Sequence, residues 1–137
     1  MRILGIDPGE KRIGVAVSDP LGITAQGVGV IQFNTKEEAL DEIDRLCNQY
    51  EAGKIVVGLP LDMKGHRGRA ALLAEELADG LQKKTGLPVF LQDERLSSRS
   101  AEKALIAGGL RRNKRKKARD MIAAVIILET YLQKEQF

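Results

Sequence analysis

One cysteine, Cys47, and one histidine, His66, are all the thiol and imidazole that this 137-residue chain contains. A lone cysteine closes no internal disulfide, and the two residues together cannot supply the Cys/His clusters that hold zinc. The chain also lacks any apolar run long enough to span a bilayer. Its first apolar stretch, Met1 to Ile6, is short for a signal peptide and meets an acid, Asp7, at once. No internal repeat or linker-like composition divides it. These absences predict a single domain over residues 1–137, cytosolic and without membrane association. A composition 43% hydrophobic and 30% charged suits an ordinary folded protein rather than a disordered one.

The net charge of +3 conceals an uneven distribution. Of 22 Lys and Arg, seven lie in residues 111–119, which hold no acid; the other 15 face 19 acids, a balance of −4. The basic character is therefore one local run, Arg111, Arg112, Lys114, Arg115, Lys116, Lys117 and Arg119, on an acidic body. Such a run is either a solvated charge cluster or the electrostatic footprint of a polyanion.

Hydrophobic periodicity gives the frame. Ile3 to Asp7 reads as a buried strand ending at the turn Asp7-Pro8-Gly9. Ile13 to Asp19 and Gly27 to Phe33 are two more strands, joined by connections short enough for antiparallel neighbours. Thr35-Lys36-Glu37-Glu38 forms a capping box, and Ala39, Leu40, Ile43, Leu46, Cys47 and Tyr50 then recur at helical spacing until Gly53. Cys47 falls on that apolar face as a small core residue. Ile55 to Val57 is a fourth strand. A second helix with Ala70, Leu73, Leu77 and Leu81 inward ends at Gly86, and Pro88 to Gln92 is a fifth strand. Ser97 or Ser98 caps a third helix ending near Gly108-Gly109, and an apolar helix runs from about Ala118 to Gln133 after the basic run. The order is an α/β fold with a mixed five-stranded sheet: three antiparallel strands, then βα crossovers that leave the first, fourth and fifth strands parallel.

The parallel strands would end on one edge, where ligand sites of open α/β sheets favour the carboxyl ends. Asp7 closes the first of them, and Asp93 and Glu94 close the fifth. Asp120, near the start of the last helix, shares a face with Ala123, Ala124 and Ile127, and two alanines let a helix approach a sheet closely. Each acid singly has a plain structural explanation, as a turn former or as a complement to a helix dipole. Jointly they repel, and a divalent cation removes that cost. Oxygen donors without Cys/His partners point to Mg²⁺ or Mn²⁺. Two such ions are the apparatus of phosphodiester hydrolysis, so acids beside a basic run read as a nuclease for structured RNA or DNA.

Other residues have narrower readings. His66 is a loop histidine or an acid–base group. Arg95 contacts a phosphate or makes a salt bridge to a carboxylate. The loop Gly65 to Gly68 lacks the Gly-Lys-Ser/Thr ending of a nucleotide P-loop.

The motifs resemble those of the YqgF family, also called RuvX. They are Gly5-Ile6-Asp7-Pro8-Gly9 with Arg12 to Ala16, Val56 to Leu61, Asp93-Glu94-Arg95-Leu96-Ser97-Ser98, and Asp120 with Ala123-Ala124, Ile127-Leu128 and Tyr131-Leu132. The likeness spans nearly the whole chain. It implies an RNase H-like fold over residues 1–137 and a nuclease with acidic metal ligands at Asp7, Glu94 and Asp120. Asp93 is the alternative to Glu94, because strand alternation admits only one of the pair. It also implies processing of the 5′ end of the 16S ribosomal RNA precursor, or, by the older proposal, cleavage of Holliday junctions. The loop Asp62-Met63-Lys64-Gly65-His66 departs from the family's usual Asn-Met-Asp/Asn-Gly-Ser/Thr. A monomer or weak homodimer is expected. The competing readings are a nucleic-acid-binding factor without catalysis and a phosphotransferase akin to sugar kinases, for which one domain is too short.

Overall fold

The computed structural model of the chain describes residues 1–61, 64–94 and 112–135; for 112–117 only the backbone is described. Strand β1 (Arg2–Asp7) lies at the centre of a five-stranded sheet. It pairs antiparallel with β2 (Arg12–Ser18) and parallel with β4 (Ala52–Leu59). Outside these, β3 (Ala25–Gln32) is antiparallel to β2, and β5 (Val89–Asp93) is parallel to β4. The order β3-β2-β1-β4-β5 is the expected mixed sheet, with β1, β4 and β5 ending on one edge. The described helices are α1 (Lys36–Gln49), α2 (Arg69–Thr85) and α3 (Arg112–Glu135). Among the described residues no helix is long and apolar enough to cross a membrane. The helix expected over 97–109 lies outside the described residues.

Local signals set most boundaries. Thr35 Oγ1 accepts the Glu38 N–H at 3.2 Å and caps α1, while Glu38 Oε2 reaches back to the Asn34 N–H at 3.0 Å, one residue earlier than in a reciprocal box. Gly86, at φ 73°, ends α2 and donates its N–H to the Gln82 carbonyl at 2.9 Å. Gly53 does not end α1. The helix stops at Tyr50, Glu51 takes the left-handed turn at φ 54°, and Gly53 lies inside β4. The apolar stripe of α2 is also rotated from expectation. Leu77 and Leu81 are buried with Ala71, Ala74 and Ala78, whereas Ala70 and Leu73 face outward. Small alanines let α2 lie close to its neighbours, and that closeness overrides the larger leucine stripe. Finally, α3 begins at Arg112 rather than Ala118, so the basic run forms its first turns. That places positive charge at the unfavourable end of the helix dipole.

The sheet separates two apolar layers by strand alternation. On one face Leu4, Ile6, Ile13, Val15, Ile55 and Val57 pack against α1 and α2, joined by Ile43 and Cys47. Each fully buried aliphatic side chain there contributes about 1.5–3 kcal/mol. The opposite face carries small residues at the alternate positions, and α3 covers it with Ala124, Ile127, Leu128 and Tyr131 against Ala16 and Val56. The approach is close enough that a Cβ added at Gly14 would overlap the Asp120 carbonyl oxygen, and one at Gly58 would stand 2.6 Å from Ile127 Cδ1. Glycine is required there because α3 occupies the space of a side chain.

Overpacking this seam is expected to be costly. Gly14→Ala should lower stability by about 1–3 kcal/mol, a loss of roughly 3–10 °C in melting temperature. Gly68→Ala, whose Cβ would meet nothing within 4 Å, should change it far less. Thermal melts of the two variants check this, and equal melting temperatures would contradict the close seating of α3.

Candidate acidic active site at the sheet edge

Three elements deliver carboxylates to the edge where the parallel strands end. Asp7 is the last residue of β1 and points to the α3 face, as Ile3 and Gly5 do. Glu94 follows β5, and its N–H donates to the Leu59 carbonyl at 3.1 Å, which extends the pairing with β4 by one residue. It has the parity of Phe90, whose ring meets Tyr131 of α3 at 6.0 Å between centroids. Asp93 has the parity of Val89, which packs on the α1/α2 layer. The alternation therefore turns Glu94, not Asp93, toward Asp7. Asp120 arrives from α3, directly over Gly14. Because α3 starts at Arg112, Asp120 stands in its third turn rather than at its beginning.

Burial governs the electrostatics. Asp7 is only 9% exposed, and its carboxyl is pushed up to about 6, first by burial and next by the charge of Asp120, against the opposing pull of the Glu94 hydrogen bond and of Arg119. Glu94 is pushed up to about 9, by burial first and then by the charge of Asp7. The two side chains are hydrogen-bonded to each other, which requires a proton on one of them. The larger shift puts it on Glu94, which donates to the Asp7 carboxylate. Among the described residues, Glu94 Oε2 is buried with no hydrogen-bond partner.

Asp120 is held differently. Arg12 Nε lies 3.3 Å from its Oδ2, and an Arg119 terminal nitrogen lies 3.9 Å from its Oδ1. Arg12 was not among the site residues expected from sequence, and Arg119 entered only as the end of the basic run. Arg12 was legible in retrospect: Asp7 pairs with Gly14, so Arg12, two residues back on β2, shares their face. The three acids, Arg12, Arg119 and Lys11 line one cleft of about 960 Å³.

The donors suit a hard cation: all are carboxylate oxygens, Glu94 Oε2 is buried without a hydrogen bond among the described residues, and one pair shares a proton that a cation would replace. As the side chains stand, no three Asp, Glu, His or Cys among the described residues are grouped closely enough to enclose an ion.

The remaining sequence candidates fall elsewhere. His66 is exposed in the loop after β4 and does not line the cleft. Arg112, Lys114, Arg115, Lys116 and Lys117 occupy the first turns of α3, on the helix that carries Asp120. Lys117 is three residues, about 4.5 Å of helix rise, from Asp120. Arg95 and Arg111 lie outside the described residues.

The family described as RuvX, Holliday junction resolvase, matches residues 1–134. The chain belongs to the RuvX family. A relative from Syntrophomonas wolfei is 49% identical over 132 residues, covering 96% of this chain and 94% of that protein. Relatives from Clostridium tetani and Listeria monocytogenes are each 48% identical, covering 96% of this chain and 96% and 97% of their own lengths. All three are named as candidate pre-16S rRNA nucleases. Among solved structures, Thermus thermophilus RuvC in complex with a Holliday junction substrate matches with a TM-score of 0.63 at 15% identity, covering 99% of this chain and 96% of that one. The fowlpox virus resolvase in complex with Holliday junction DNA matches with a TM-score of 0.62 at 13% identity over 100% of both chains. At such identities the likeness is one of fold, and it confirms the RNase H-like architecture of this RuvX-family chain.

The raised carboxyls make a pH prediction for the metal-free protein. Groups whose folded pKa is raised contribute stability at low pH that is lost as pH rises through the folded values, here about 6 and about 9. Melting temperature in chelator should therefore fall between pH 5 and pH 9, and Glu94→Gln should flatten most of that fall. Added Mg²⁺ or Mn²⁺ should raise it more at pH 8.5 than at pH 5, since a cation replaces the proton. Differential scanning calorimetry across this range checks the sign; a wild-type profile as flat as that of the variant would contradict the shared proton.

Proposed function

We propose that the chain is a divalent-metal-dependent nuclease that hydrolyses phosphodiester bonds at the 5′ end of the 16S ribosomal RNA precursor. The carrying observation is the meeting of Asp7, Glu94 and Asp120 from three separate elements in a cleft that also presents Lys11, Arg12 and Arg119. Acids without a phosphate-binding surface, or bases without acids, would have fitted a binding factor. Together they hold a polyanion and act on it. The substrate assignment draws on full-length relatives at 48–49% identity named as candidate pre-16S rRNA nucleases. The resolvase likeness, at 13–15% identity, supports the fold alone.

Asp7, Glu94 and Asp120 are the residues to hold the cation, with Mg²⁺ or Mn²⁺ favoured by their oxygen donors and two ions expected from the chemistry. When bound, a divalent cation supplies Lewis-acid stabilisation of the charge that builds on the phosphodiester. The chain's own residues do the rest. With a cation bound, Glu94 would release its shared proton to solvent and present its carboxylate. Arg12 orients Asp120 through their 3.3 Å contact and, were a cation to take that carboxylate, would be free to meet a phosphate oxygen. The basic first turns of α3 attract the RNA backbone and lead it toward Asp120. On this reading the protein acts as a monomer or weak homodimer.

Asp7→Asn, Glu94→Gln and Asp120→Asn should each reduce cleavage at least about 100-fold, while RNA binding in chelator stays within about threefold of wild type. The check is a Mg²⁺- or Mn²⁺-dependent assay on a precursor carrying its 5′ leader beside a synthetic four-way DNA junction. Cutting of the RNA is expected. Symmetric cutting of the junction alone would make a resolvase of it, and wild-type cutting by all three variants would defeat the acid assignment. Replacing Arg115, Lys116 and Lys117 by Gln should weaken binding and flatten the plot of log affinity against log salt, by about 0.7–0.9 for each phosphate that is no longer neutralised. An unchanged slope in filter-binding titrations would remove the basic turns from the interface.

A further inference from the structure

A second cavity, of about 820 Å³, adjoins the acidic cleft. The two share a wall made of the turn from Pro8 to Lys11 together with Phe33 and Asn34. On the far side of that wall the floor is apolar, formed by Ile13, Ala39 and Leu77, with Leu73 on the side. Leu73 is the α2 leucine that the core leaves 37% exposed. The rim carries Lys11, Lys36 and Arg69 against Glu10 and Glu76, and Arg69 lies 3.8 Å from Glu10 in an exposed ion pair. The cavity is thus a greasy slot with a mixed, slightly positive mouth, opening beside the carboxylates.

Phe33 is the aromatic residue on that shared wall, in a chain with only five Phe and Tyr and no Trp. It is half-buried against the α1/α2 layer, and its backbone N–H donates to the Lys11 carbonyl at 3.2 Å, which ties the Phe33 main chain to the turn that follows Asp7. The neighbouring Asn34 side chain offers both amide donors and an acceptor. A flat apolar ring beside a phosphate-handling cleft, with an amide next to it and lysines at the mouth, matches the needs of one nucleotide: a face to stack on, an edge to read and flanking phosphates to hold.

We propose that Phe33 stacks the base of an unpaired nucleotide next to the scissile phosphate, so that the substrate class is nucleic acid with a single-stranded or extruded nucleotide at the cut. A base inside a continuous duplex has both faces occupied and cannot enter. The proposal rests on the nuclease reading only for placing the scissile phosphate at the acids.

The test uses the full chain with Asp7→Asn in chelator, so that nothing is cut. The probe is a short RNA with 2-aminopurine walked through each position, single-stranded or annealed to its complement. Quenching is expected at one position of the single strand and at none of the duplex. Phe33→Leu, which keeps apolar packing, should abolish that quenching and weaken single-strand binding by about 10-fold or more. Phe33→Tyr should retain both, and melts show whether either variant is folded. No position-specific quenching by the parent protein, or Phe33→Leu binding and quenching like it, would overturn the proposal. Phe33-dependent quenching with no metal-dependent cutting by the wild type would uphold the stacking site and defeat only the nuclease reading. Metal-dependent cutting of single strand and duplex at equal rates by both wild type and Phe33→Leu would do the reverse.

Discussion

The close seating of α3 on the small-residue face of the sheet is the constraint on which the rest of the molecule depends. A helix at ordinary packing distance would stand off by the thickness of a side chain. Here Gly14 and Gly58 remove that thickness on two strands, and α3 settles into the space. The second apolar layer, the position of Asp120 and the direction in which the basic first turns lead all follow from this one contact. The opposite face shows the contrast. Its strands carry Leu, Ile and Val, and α1 and α2 pack through interdigitated side chains in the ordinary way.

The same seating creates an electrostatic problem. It buries carboxylates at the end of an apolar layer, where desolvation and mutual repulsion both disfavour charge. The protein handles the cost in two ways: Asp7 and Glu94 share a proton, and Asp120 takes an arginine. Neither arrangement is as favourable as a well-solvated carboxylate, and among the described residues a buried Glu94 oxygen has no hydrogen bond. Functional sites commonly retain such local penalties because the groups are placed for a bound state rather than for the resting fold. A cation in the cleft would offset the mutual repulsion and take the place of the shared proton.

Much of the frame could be read directly from residue order. The five strands, their parallel and antiparallel pairing, the cap at Thr35 and the stop at Gly86 rest on short-range rules that the structure obeys. Errors arose where a tertiary contact outweighed a local preference. Gly53 looked like a helix stop, yet Glu51 adopts the left-handed turn and Gly53 joins β4. The leucine stripe of α2 looked like its core face, yet three alanines carry much of that contact and leave Leu73 lining the cavity that Phe33 also lines. The start of α3 was hidden because a dense run of positive charge at a helix N-terminus contradicts the dipole rule.

The site divides along the same line. Asp7, Glu94 and Asp120 were legible because strand ends, strand parity and helical spacing are periodic, and periodicity survives in one dimension. The choice of Glu94 over Asp93 was already implicit in parity, but only the ring contact of Phe90 with Tyr131 showed which parity faces α3. Arg12 as the partner of Asp120 and Phe33 as the wall between two cavities depend on the distance between elements and on how far each is rotated. The sequence by itself determined which elements form, how the strands pair and which acids are candidates, because those are properties of neighbours along the chain. Only the tertiary structure decided which acid shares a proton and which takes an arginine, because burial and charge separation are set by surfaces brought together from distant parts of the chain.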